Sequence, residues 1–172
     1  WLVPEGSPKR LDRILTPIDF SSDSADALSL STSIAAAHGS DKCLALHVYF
    51  DESTVRYDEH VIEVQGNEQA AFDKFLEKVD RHGVEVSPLF EESTHPPEAI
   101  LRVAQRHETD LLVMSTRGRS RAAAVLLGST TSSTMATTPI PLLAVKHFGS
   151  RMSVVGAILD QRHWHGRSPK TN

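Results

Sequence analysis

A single cysteine, Cys43, stands in the 172 residues, so no disulfide can close within the chain, and a reducing compartment fits it. Nothing marks that thiol as activated, and it reads as a small core residue. Aromatic residues are scarce, at 6%, and none interleaves with the arginines of RGRSR (117–121). Together with a formal charge of -4, this argues against nucleic acid and against bulk attraction to anionic lipid. No apolar run approaches the roughly 20 residues that a membrane span needs, and no signal-peptide pattern opens the chain. Two nucleotide motifs are missing: the P-loop GxxxxGK followed by Ser or Thr, and the dinucleotide fingerprint GxGxxG. What remains is an ordinary globular composition, 40% apolar and 23% charged. The length suits one domain, and the cytoplasm is the expected location.

Short apolar runs alternate with helical patterns. RILTPIDF (13–20) is a compact strand candidate. The helix after it is capped by Ser21 or Ser22, has Asp23 and Asp26 near its positive end and stops at Gly39. CLALHVYF (43–50) is a second buried strand, and residues 51–66 read as a polar loop. The spacing then predicts a helix with Asn67 as its cap, a stripe of Phe72, Phe75, Leu76 and Val79, and Gly83 at its end. VEVSPLFEE (84–92) is a third strand, placed near an edge by Pro88. A helix opening around Pro97 buries Ile100, Leu101, Val103 and Ala104, and DLLVMS follows as the fourth strand. A Ser- and Thr-rich helix containing Met135 precedes the fifth strand, PIPLLAVK. Five strands joined by four helical connections define an α/β class: a doubly wound parallel sheet with helices on both faces.

Ligands in such sheets bind beyond the carboxyl ends of the strands. Pro17 to Asp19, His47 to Val48 and the loop from Ser115 all fall there. In that loop Gly118 permits close backbone approach, and Gly128-Ser129-Thr130 opens a helix whose N–H groups and hydroxyls suit a phosphate. Arg117, Arg119 and Arg121 add positive charge. On these residues alone the loop serves either as a phosphate cradle or as a strand-to-helix turn. Asp19 suits a helix cap and a ligand contact equally, and His47 reads as a satisfied core histidine.

The spacing resembles a known signature. A strand ending in Met114, then Gly118, then nine residues, then Gly128-Ser129 is similar to the glycine motif of the universal stress protein family, with Ser115 standing where the first glycine is expected. ILTPIDFSSDSADAL, LALHV, PPEAILRVAQRHETDLLVMS and PIPLLAVK resemble the family's strands and helices over residues 10–147. The resemblance implies a five-stranded sheet of order 3-2-1-4-5 and ATP, with Mg, held between strands one and four. It implies that Asp19, with Pro17 and Ile18 beside it, faces the adenosine, and that the backbone of Val48 meets the adenine edge. Met114 and Ser115 would line base and ribose, with Gly118, Gly128, Ser129 and Thr130 at the phosphates and Arg117 beside them. It also implies pairing through the last strand, as a homodimer or between tandem domains. The Ser115 side chain either bonds the ligand or obstructs it.

WLVPEGSPK (1–9) reads as a linker or as the end of a preceding domain's last strand, in Leu2, Val3 and Pro4. Residues 148–172 form an extension in which MSVVGAIL has helical spacing, and His163 and His165 there are expected to be incidental rather than metal ligands. The expected function is that of an ATP-binding, nucleotide-responsive regulatory or stress-protective module. No base is evident near the expected phosphates, so hydrolysis is expected to be slow or absent. The competing function is an interaction module that holds no nucleotide. A phospho-receiver domain fits poorly, because strand three ends in Glu91-Glu92 rather than a phosphorylatable Asp.

Overall fold

The structure, a computed structural model, describes residues 1–6, 11–51, 58–117 and 127–146. Strands β1 (Ile14–Ile18), β2 (Lys42–Tyr49), β3 (Glu85–Glu92), β4 (Leu111–Ser115) and β5 (Leu142–Val145) alternate with helices α1 (Ser22–His38), α2 (Asp58–Leu76), α3 (Pro96–Arg106) and α4 (Ser129–Thr137). The strands form one sheet of order β3-β2-β1-β4-β5, with parallel pairing throughout. β3, with Pro88, lies at one edge, where a missing N–H is tolerated.

Side-chain alternation builds two faces. Ile14, Leu111 and Val113 point into a cluster with Ala27, Leu30 and Ala35 of α1. Their neighbours Leu15, Leu112 and Met114 point the other way, against Ile100, Val103 and Ala104 of α3 and Met135 of α4. A third cluster joins Ile18 and Ala45 to α1 and to Phe72 and Phe75 of α2. Both phenylalanines are fully buried, each contributing about 1.5–3 kcal/mol of transfer free energy. α1 and α2 therefore cover one face, and α3 and α4 the other.

Local signals end most helices where expected. Ser21 caps α1, its side chain accepting from the Ser24 amide, and Gly39 takes φ 76° so that Ser40 donates to the Ala35 carbonyl. α2 departs from the sequence reading at both ends. It begins at Asp58, so part of the expected loop is helical and Asn67 is an interior residue, not a cap. Propagation explains this: with Phe72 and Phe75 anchored on the sheet, each further turn adds hydrogen bonds without a new nucleus, offsetting the roughly 1 kcal/mol cost of Gly66. It stops at Leu76 rather than running to Gly83, because α1 captures the following backbone: Ser29 Oγ accepts from the Asp80 amide, and Thr32 Oγ1 donates to the Asp80 carbonyl at 2.7 Å. Leu101 is half-buried rather than buried.

At the bottom of the sheet Asp110 accepts from the amides of Asp12 and Arg13 and from the Arg13 guanidinium, tying the entry of β1 to β4. At the outer edge Leu2 forms an antiparallel bridge with Leu142 of β5, with N···O distances of 2.8 and 2.9 Å. No helix among the described residues is long and apolar enough to cross a membrane. Gly118, Arg119, Arg121, His163, His165 and the MSVVGAIL segment lie outside the described residues.

Candidate functional site

From β1 the chain runs through β2 to β3 on one side of the sheet, then crosses to β4 and β5 on the other. The carboxyl ends of β1 and β4 therefore diverge, and a cavity of about 340 Å³ opens between them. That volume lies at the lower end of the range for small-molecule sites. Pro17, Ile18 and Asp19 border it from β1, Val48 from β2, Met114, Ser115 and Arg117 from β4 and its loop, and Gly128, Ser129 and Thr130 from the start of α4. These residues, brought together from four distant segments, are all of the sequence-derived candidates except Gly118. Four further lining residues were missed: Leu46, Pro96, Ile100 and Thr131. Leu46 was accessible to reasoning, since it shares a strand face with Val48 two residues away. Pro96 and Ile100 reach the cavity only because α3 packs over β1 and β2, and no local signal marks that.

Each part of the rim has a local cause. Asp19 Oδ1 accepts from both the amide and the hydroxyl of Ser21, so this carboxylate both organises the start of α1 and borders the cavity. The cap of α1 is Ser21 rather than Asp19, which supports that cap from two residues before it. Ser115 Oγ donates to the Arg117 carbonyl at 2.7 Å, closing a tight turn at the strand end. The side chain that replaces the expected glycine is therefore engaged with its own loop.

At α4 the N-cap is Gly128, which offers no side-chain oxygen to the first-turn amides. Those amides at the positive end of the helix are a donor set for an anion. A Cβ at Gly128 would lie 3.3 Å from the Thr116 carbonyl oxygen, which already accepts from the Gly128 amide at 2.7 Å. A side chain there would press on that backbone, which would have to give by a few tenths of an ångström. Thr131 Oγ1 donates to the Ser115 carbonyl at 2.8 Å, clamping α4 to the end of β4. Arg117 is exposed at the mouth and supplies positive charge on the α4 side.

Other chemistries find little here. Burial pushes the Cys43 thiol up to about 12, which removes the thiolate at neutral pH. Among the described residues no three His, Cys, Asp or Glu side chains gather to hold a metal ion.

Fold and cavity define a doubly wound α/β protein with a ligand crevice at its topological switch point. The chain belongs to the universal stress protein family, whose model matches residues 10–146. Among solved structures, it is similar to the hypothetical protein MJ0577, at 24% identity over 81% of this chain and 99% of that one, with a TM-score of 0.66. It is also similar to the universal stress protein UspA from Lactobacillus plantarum, at 23% identity over 80% and 99% of the two chains, with a TM-score of 0.64. A universal stress protein in complex with cAMP is 22% identical, over 78% and 96% of the two chains, with a TM-score of 0.62. At such identities the likeness carries the fold. None of the curated proteins matches the sequence.

Proposed function

We propose that the chain binds ATP, as its Mg complex, in the cavity between β1 and β4, and acts as a nucleotide-responsive regulatory or stress-protective module of the cytoplasm. One observation carries this reading: the uncapped, glycine-started α4 brings its N-terminus to a cavity whose other walls combine apolar side chains of β1, β2, β4 and α3 with Asp19, Ser115 and Arg117. That pairing of an anion end with an apolar slot suits a phosphorylated nucleoside. A relative of the same fold solved with cAMP supports an adenine nucleotide as the ligand class. In this reading Met114, Val48 and Pro17 flank the base, Asp19 and Ser115 lie by the ribose, and Gly118, Gly128, Ser129, Thr130 and Arg117 hold the phosphates. Asp19 is already engaged by Ser21, and hydrolysis is slow or absent.

Pairing through the last strand is part of the proposal, as a homodimer or with a tandem domain. β5 is the edge strand, and Leu2 already adds to it in antiparallel register.

The experiment is nucleotide content by ion-exchange chromatography after denaturation, followed by calorimetric titration of the stripped protein with Mg-ATP. Bound ATP or a saturating titration supports the reading, and Gly118→Trp then abolishes the signal. A protein that is empty and ignores added Mg-ATP overturns it, leaving the competing role of an interaction module without nucleotide.

A further inference from the structure

His47 lies behind the cavity rather than in it. Its strand neighbours Leu46 and Val48 line the cavity, so by alternation its ring sits on the opposite side of the sheet, where it is 7% exposed. The ring is held on three sides. Nδ1 lies 2.9 Å from the Ile18 carbonyl oxygen, and Nε2 lies 3.4 Å from Glu68 Oε2 on α2. The ring also packs on Phe20, with centroids 4.2 Å apart. A core position that needed only apolar volume would not require a backbone carbonyl within hydrogen-bond distance of Nδ1.

The backbone that His47 touches is unusual. Phe20 has φ 63°, a left-handed conformation that bulky residues rarely adopt. Such a conformation persists only where the surroundings over-determine it. Here it lies between Asp19, on the cavity rim, and Ser21, the α1 cap that bonds the Asp19 carboxylate. The left-handed residue turns the chain sharply enough for α1 to begin while Asp19 stays at the mouth. Phe20 is held by the His47 face and, edge-on, by Phe75 of α2, with centroids 5.5 Å apart.

We propose that His47 and Phe20 form a latch behind β1 that fixes where Asp19 stands in the nucleotide cavity, and that Glu68 orients the latch from α2. His47 is a positioning residue in this scheme. It holds the Ile18 carbonyl, one peptide before Asp19, and stacks on the residue one peptide after it. α2, which covers the other face of the sheet, thereby gains a physical connection to the ligand. The proposal rests on the reading of the cavity as an ATP site.

Three forms of the full chain test it: wild type, His47→Asn, whose amide N–H replaces Nδ1, and His47→Leu, which keeps apolar volume without a donor. Mg-ATP affinity is read by calorimetry, and amide hydrogen exchange is read at Asp19 and Ser21 against Leu112 and Val113 of β4. His47→Leu is expected to weaken Mg-ATP about ten-fold, the size of one lost hydrogen bond. It is also expected to speed exchange at Asp19 and Ser21 while β4 stays unchanged, and His47→Asn should restore both. Glu68→Ala, which removes the side chain facing Nε2, gives the same pattern in weaker form and serves if His47→Leu does not fold.

Unchanged exchange at Asp19 and Ser21 overturns the latch. So does a rise in exchange shared equally by β4 and not rescued by asparagine, which is ordinary loss of core stability. Wild-type protein that ignores Mg-ATP overturns the proposed function, and the exchange comparison then decides the latch alone.

Discussion

Thr131 and Thr134 sit one turn apart on α4, both buried, yet replacing each by valine is expected to move stability in opposite directions. Valine matches threonine in shape and has a similar helix propensity, so the change isolates the hydroxyl. Thr131 Oγ1 donates to the Ser115 carbonyl at 2.8 Å, whereas Thr134 Oγ1 has no partner among the described residues. Removing a satisfied, partly buried hydrogen bond costs about 1 kcal/mol. Removing a buried hydroxyl that has no bond relieves a desolvation penalty of about 1 kcal/mol, the lower end of the mutational range.

The two variants should therefore differ by about 2 kcal/mol, close to thirty-fold in the folding equilibrium. In urea, with a slope of about 2 kcal/mol/M, the midpoint of Thr131→Val falls by about 0.5 M and that of Thr134→Val rises by as much, the slope itself unchanged. Thr131 also borders the cavity, so its loss should weaken Mg-ATP binding, while Thr134→Val leaves binding intact. A Thr134→Val protein less stable than wild type would refute the reasoning, because it would mean that the hydroxyl is in fact satisfied.

Two further outcomes are expected. Cys43 is buried and its thiol is pushed up to about 12 by desolvation, so iodoacetamide should leave it unmodified in native protein at pH 7.5 and label it fully in urea. Mass spectrometry reads the label, and rapid native labelling would contradict the packing. Glu91 is held below the usual carboxylate range, chiefly by its hydrogen bond from Arg102 and also by Arg106. Its contribution is therefore present above its unfolded value of about 4.3 and is lost as pH falls through the lower folded value. With both arginines half exposed, Glu91→Gln should cost under about 1 kcal/mol at pH 7 and nothing at pH 2, read by denaturation at the two pH values. A cost that persists at pH 2 would assign the effect to packing.

Much of the fold was legible because its signals are local. α1 carries its own start in Ser21 and its own stop in Gly39, and β4 and β5 are short apolar runs bounded by polar residues and prolines. The loop positions at Ser115, Gly128 and Ser129 were legible too, since glycine and hydroxyl spacing is a sequence property. α2 was misread at both ends for a complementary reason. Its start depends on helix propagated outward from two phenylalanines on the sheet, and its stop on bonds from Ser29 and Thr32 of a different helix.

The sequence by itself determined the alternation of strands and helices, the caps of α1 and the candidates for the crevice, because each depends on residues a few positions apart. Only the tertiary structure decided the rest. It turned Pro96 and Ile100 toward the cavity. It separated Thr131 from Thr134, which look alike in the sequence, by giving a partner to the first. It also placed His47 between Glu68, Phe20 and the Ile18 carbonyl. A hydrogen bond or a ring stack is a matter of ångströms, and neighbours at that distance come from segments that the sequence holds tens of residues apart.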